Sequence, residues 1–213
     1  MFKKRLSKTN YDTIIFDLGQ VIVDLDGPAV IAQLLKESRL DNPDLKSLIV
    51  DDPVLYEFER GRIGEEEFRN SFRDILKMDI SNDRFDEIWN LMLKSIPLKR
   101  LELMSGIGDY FQTMILSNTN IIHERKFDQM VGELAFGKQM KDFVHHAHYS
   151  HDMGQRKPDK VIYQTIIDLH NLVPERTIFL DDRTDNVGAA KELGIEAFQV
   201  ADPDDIHDLL KMT

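Results

Sequence analysis

The feature that most constrains this chain is a set of short apolar runs that each stop on a polar group. Thr13-Ile14-Ile15-Phe16 stops on Asp17, Ile115-Leu116 on Ser117-Asn118, and Ile178-Phe179-Leu180 on Asp181-Asp182. β-Branched and aromatic runs of this length read as buried strands. In an open parallel sheet, ligands bind in the crevice outside the carboxyl ends of the strands. An aspartate, a hydroxyl and a pair of acids would therefore meet at one sheet edge.

The rest of the chain supports such a sheet. Beyond Pro97 the pattern alternates: a helix to about Tyr110, strand 113–116, helix 123–131, strand 145–149, helix 159–170, strand 177–180, helix 185–193, strand 195–200, and a helix from Asp204. Strands alternating with helices imply an α/β fold, a Rossmann-like parallel sheet with helices on both faces. Between Pro28 and Pro97 three segments instead show helical spacing of apolar residues, with helix starts at Gly64 and Ser81 and no convincing strand. A length of 213 residues suits one domain with a modest insertion. The expected division is a core of 1–26 and 98–213 and a helical insertion of 27–97.

Each strand-end residue has an ordinary reading and a chemical one. Asp17 alone could be a turn aspartate, and Asp182 could cap the following helix. Adjacent acids repel, however, which favours a cation between them. With Asp17 they offer hard oxygen ligands that suit Mg²⁺. Ser117 and Asn118 could start a helix or hold phosphate oxygens. Lys157, just before Pro158, could be an exposed lysine or could offset charge on a transferring phosphoryl group.

Composition excludes several other classes. The net charge of −11 argues against a nucleic-acid or anionic-membrane binder. The absence of cysteine excludes disulfides, thiolate metal sites and cysteine nucleophiles, and fits a reducing compartment. No apolar run is long enough to span a membrane. Lys3-Lys4-Arg5 leads into Tyr11-Asp12 without a signal-peptide core and reads as a solvated leader, so a cytoplasmic location is expected.

Phe16-Asp17-Leu18-Gly19, Leu116-Ser117-Asn118-Thr119-Asn120, Gly154-Gln155-Arg156-Lys157-Pro158 and Phe179-Leu180-Asp181-Asp182, in this order, resemble the four motifs of the haloacid dehalogenase-like hydrolase superfamily. The insertion resembles that superfamily's helical cap. Within the superfamily, the Asp-Leu-Gly start and Glu59-Arg60-Gly61-Arg62-Ile63 are similar to the bacterial glucose-1-phosphate phosphatase-like proteins. The resemblance implies a Mg²⁺-dependent phosphatase of a small phosphate ester, such as a sugar phosphate, acting as a monomer or homodimer. It makes Asp17 the nucleophile that forms an aspartyl-phosphate. It assigns the metal to Asp17, the carbonyl of Gly19 and Asp182, with Asp181 close by. Ser117 and Lys157 would hold phosphoryl oxygens, supported by Asn118, and Asn186 would orient the acid loop. Arg60 and Glu59 are the insertion's candidates for substrate contact.

Gly19 departs from the usual pattern, which has a second aspartate there as general acid and base. Asp24, Asp26 or Glu59 could substitute. A metal-independent dehalogenase and a non-catalytic binding protein remain the rival readings. In His145-His146-Ala147-His148-Tyr149-Ser150-His151, alternation would put His146 and His148 on one face, where zinc could bind. The segment also reads as a core strand leading to the Lys157 loop.

Overall fold

A computed structural model describes residues 10–40 and 52–211. The Lys3-Lys4-Arg5 leader lies outside the described residues. Strand β1 (Thr13–Phe16) is followed by β2 (Asp24–Leu25), α1 (Gly27–Glu37), α2 (Pro53–Glu59), α3 (Glu65–Leu76), α4 (Asn82–Trp89) and β3 (Leu93–Ser95). Then come α5 (Leu98–Gly108), β4 (Gln112–Ser117), α6 (Ile121–Leu134), β5 (His146–Tyr149) and α7 (Ser150–Met153). The chain ends with α8 (Lys160–His170), β6 (Thr177–Asp181), α9 (Thr184–Lys191), β7 (Glu196–Gln199) and α10 (Ile206–Leu209).

Five strands form one parallel sheet in the order β5-β4-β1-β6-β7. The chain moves outward from β1 through β4 to β5, then crosses back to lay β6 on the other side of β1. That reversal opens a crevice between the carboxyl ends of β1 and β6. Successive side chains point to opposite faces. Ile14 and Phe16 join Ile115 and Leu180 in one core layer, while Ile15 joins Met114, Leu116 and Phe179 in the other. Burial on both faces is why these strands read as unbroken apolar runs.

The inserted segment builds its own core. Phe68 stacks on Phe58 at 4.0 Å and meets Phe72, Phe85 and Trp89 within 5.7 Å. Ile122 of α6 belongs to the same cluster, which seats the segment on the sheet-bearing half. Helix ends follow local chemistry. Asp26 caps α1 by accepting the Ala29 N–H, and Ser81 caps α4 by accepting that of Arg84. Glu65, Glu66 and Glu67 fill the first turn of α3 after Gly64, where acids suit the helix dipole.

Two elements of this region differ from the sequence reading. β3 pairs antiparallel with β2 where no strand was expected. A three-residue strand is too short to display a period of two. Helix α2, seven residues long, was likewise not predicted as a helix; it shows barely two turns of apolar spacing.

Candidate active site

The β1–β6 crevice gathers the strand-end residues. Asp17 follows β1 directly, and its N–H still donates to the Leu180 carbonyl at 2.8 Å, so its position continues the sheet. Asp181 is the last residue of β6. Lys157 arrives from the loop between α7 and α8. Its Nζ lies 2.8 Å from Asp17 Oδ1 and 2.6 Å from Asp181 Oδ2. All three are buried, Lys157 at 1% exposure and Asp181 at 0%. Asn118 fixes the lysine's backbone: its Nδ2 donates to the Lys157 carbonyl and its Oδ1 accepts the Lys157 N–H, both at 2.8 Å. The Lys157–Pro158 peptide is cis.

Asp181 is fully engaged. Asn186 Nδ2 lies 2.9 and 3.0 Å from its two oxygens, and the Arg183 N–H donates to Oδ1 at 2.9 Å. The carboxylate of the half-buried Asp182 bonds to no other side chain among the described residues. Asp17, Asp181 and Asp182 each offer an oxygen within 4.8 Å of the others. Three carboxylates thus face one ammonium. Burial pushes Asp17 up, to about 7, against the pull of Lys157, with Asp181 and Asp182 adding to the rise. Burial and then Asp181 raise Asp182 as well. Burial alone would lower Lys157, but Asp17 and Asp181 outweigh it and keep the ammonium charged. A divalent cation would relieve the surplus negative charge, and an all-oxygen donor set suits a hard one such as Mg²⁺.

Gly19, two residues after Asp17, stands in a one-residue bridge to Val23. The bridge uses the Leu18 carbonyl and the Gln20 N–H, so Gly19's own carbonyl takes no part in it. Gly19 keeps φ outside the left-handed region, and an added Cβ would lie 2.9 Å from Leu25 Cδ1, the end of a flexible side chain.

Gly19, Ser117 and Asn118 also line a cavity of about 240 Å³ under the inserted segment. Its walls are largely apolar and include Val30, Trp89 and Met92. Two titratable residues line it, Glu59 and His123. The His123 ring stacks on Trp89 at 5.5 Å, with Nε2 3.1 Å from the Trp89 carbonyl and Nδ1 3.2 Å from Asn120 Nδ2. That arrangement fits the neutral Nε2–H tautomer, and burial pushes His123 down to about 4.

Arg60 is not brought to this cavity. It pairs at 2.8 Å with Asp159, on the Lys157 loop. Glu59 instead pairs with Arg156, whose guanidinium also lies over the Tyr56 ring at 4.4 Å. Arg156 and Asp159 flank Lys157, and their partnership with α2 was not foreseen. The sequence carries them only as charges, on Glu59 and Arg60 in one segment and on Arg156 and Asp159 in another. Asp24 and Asp26 are committed elsewhere: Asp24 Oδ1 lies 2.6 Å from the buried Arg100, and Asp26 caps α1. The histidine segment forms an edge strand. His148 Nε2 meets His170 Nε2 at 2.7 Å, and burial lowers His148 to about 4. His146, His148 and His170 are not among the groups of described residues whose ligand atoms converge.

Fold and crevice together define a hydrolase of the haloacid dehalogenase type. The sequence profile of the haloacid dehalogenase-like hydrolases matches residues 11–194, and the chain belongs to that family. It is 27% identical over 188 residues to a D-ribitol-5-phosphate phosphatase of Bacteroides thetaiotaomicron, covering 87% of this chain and 90% of the relative. A haloacid dehalogenase family enzyme from the same organism, crystallised with magnesium and inorganic phosphate, superposes with a TM-score of 0.78 at 27% identity. That match covers 89% of this chain and 93% of the other. A predicted hydrolase of the family from Porphyromonas gingivalis shares the fold at 24% identity, with a TM-score of 0.80 over 89% of this chain and 90% of its own.

Proposed function

We propose that the enzyme is a Mg²⁺-dependent phosphatase of small phosphorylated metabolites, with Asp17 as its nucleophile. The observation that carries this reading is the convergence of Asp17, Asp181 and Asp182 around the single ammonium of Lys157. Asp17, Asp182 and the Gly19 carbonyl would hold the metal. Asp181, occupied by Lys157 and Asn186, shapes the site from behind. When bound, the ion supplies charge neutralisation of the phosphoryl oxygens.

The chain's own residues do the rest. Asp17 attacks phosphorus, the bond to the leaving oxygen breaks, and an aspartyl-phosphate forms. Ser117 and Lys157 bind the phosphoryl oxygens. Asn118 acts through Lys157, whose backbone it pins. Residues 27–97 serve as a cap over a core of 1–26 and 98–213, closing the cavity above Ser117 and excluding water from the leaving group. The relative named for D-ribitol-5-phosphate supports a sugar or sugar-alcohol phosphate as the first substrate to assay. A dehalogenase on this scaffold would not need the Asp181-Asp182 pair.

Hydrolysis of p-nitrophenyl phosphate tests the reading. Chelation should abolish it, Mg²⁺ should restore it, and Asp17→Asn should eliminate it while the far-UV spectrum is retained. Beryllofluoride should be captured at Asp17 in the unaltered protein. Full activity in Asp17→Asn, or after thorough chelation, would overturn the mechanism.

A further inference from the structure

The position two residues after Asp17 is Gly19, so the leaving oxygen has no acid from the usual place. We propose that Glu59, at the end of α2, is the general acid and base of the reaction. This rests on the phosphatase reading above. Glu59 is the one carboxylate that lines the cavity shared by Gly19, Ser117 and Asn118. The two other acids near the turn fail on geometry. Asp24 is bonded to Arg100 and to the Ser95 hydroxyl, and neither it nor the helix-capping Asp26 lines the cavity. His123 does line it, but its ring nitrogens already meet the Trp89 carbonyl and Asn120.

Glu59 is also held in place. Arg156 reaches it through Nε at 3.0 Å and Nη2 at 2.9 Å, and both contacts fall on Oε2. Oε1 accepts no hydrogen bond from the described residues, which leaves it for a ligand. The next residues fasten the same end of α2. Arg60 pairs with Asp159, and a Cβ at Gly61 would stand 2.1 Å from the His151 carbonyl oxygen. Burial raises the Glu59 carboxyl, and Arg156, then Arg60 and Arg183, pull it back without cancelling the rise. A carboxyl raised in this way can carry a proton closer to neutral pH.

The steps balance. As Asp17 attacks, the phosphorus–oxygen bond breaks and its electron pair goes to the leaving oxygen, which takes the proton from Glu59 Oε1. Glu59 is then a carboxylate. It removes a proton from the water that attacks the aspartyl-phosphate, the Asp17–phosphorus bond breaks, and both carboxyl groups return to their starting forms.

The test is the dependence of kcat/KM on leaving-group pKa, because kcat/KM reports steps up to leaving-group release. A series from p-nitrophenyl through phenyl to alkyl and polyol phosphates should be measured with Mg²⁺ in the unaltered enzyme and in Glu59→Gln. Gln can still accept from Arg156, so the contact between α2 and the Lys157 loop survives. Loss of a general acid should lower kcat/KM for alkyl esters about 10²-fold or more while kcat/KM for p-nitrophenyl phosphate stays within about threefold, and loss of the general base should lower kcat for every ester through slower hydrolysis of the aspartyl-phosphate. The slope should therefore steepen in the variant. Gly19→Asp added to Glu59→Gln should flatten it again by placing a carboxyl at the usual position. Equal losses in kcat/KM across the series would make Glu59 a purely structural contact and overturn the proposal, as would an unchanged slope. An unaltered enzyme that hydrolyses no ester with Mg²⁺ would instead refute the phosphatase reading itself.

Discussion

Protonation of His123 should make the fold acid-labile in a defined window. Its imidazole is buried between α6 and α4, stacked on Trp89 and bonded to the Trp89 carbonyl. Burial sets its pKa at about 4, against 6.5 for the exposed group. The unfolded chain therefore binds this proton more readily than the folded one. The stability contributed by neutral His123 is complete above pH 6.5 and is lost as pH falls toward 4. For these two values, linkage predicts a loss of about 2–3 kcal/mol at pH 4.5 relative to pH 7. In a chain of this size that is about 5–10 °C in Tm.

Other groups titrate in the same range, so the comparison is with His123→Gln, which cannot take a proton. At pH 7 the variant should be less stable by about 1–2 kcal/mol, through the lost ring stack and the Asn120 contact. At pH 4.5 the gap should close or reverse. Urea unfolding at the two pH values measures it. A stability gap that stays constant from pH 7 to 4.5 would refute the argument, as would an NMR-titrated His123 pKa near 6.5.

Two further outcomes follow from the site and its surroundings. Asp182→Ala should abolish calorimetric Mg²⁺ binding with little change in apo stability. Asp181→Ala leaves the buried Lys157 with Asp17 alone and Asn186 without its carboxylate, and should cost about 3 kcal/mol in urea unfolding; the reverse ranking would sink the assignment of Asp182 as ligand. Gly61→Ala meets both a φ of +63° and the His151 carbonyl. It should cost about 2 kcal/mol or more by thermal unfolding, and a change below about 0.5 kcal/mol would mean that α2 is not seated there.

The sheet and its polar edge were legible because the determinants are local. Phe16-Asp17, Leu116-Ser117 and Leu180-Asp181 each place an apolar strand and its strand-end group side by side in the chain. Lys157 was legible only through its motif, since nothing local says that a lysine before Pro158 will be buried between two acids. The contacts between α2 and the Lys157 loop could not be read at all. Glu59 meets Arg156 and Arg60 meets Asp159 across roughly a hundred residues, and a charge in one segment carries no sign of its partner in another. Arg60 was singled out for substrate contact on its motif alone. Its guanidinium pairs with Asp159 at 2.8 Å. β3 escaped notice because three residues carry no periodicity.

Those long-range pairs bear on how the site could open. Lys157 is fixed from the core side by the Asn118 amide on its backbone and by Asp17 and Asp181 on its ammonium, all buried or nearly so. From the insertion side it is flanked by Arg156–Glu59 and Arg60–Asp159, whose members are partly exposed. The Arg60–Asp159 pair, half exposed on the aspartate side, contributes about 1 kcal/mol or less. Lifting the end of α2 would break those pairs, while the core contacts that place Lys157 against the nucleophile would stay intact. Such a movement would carry Glu59 away with the insertion while Asp17, Lys157 and the acid pair remained assembled. Substrate entry and product release would then interrupt only the proton-transfer group, and closure would restore it through the Arg156 contact.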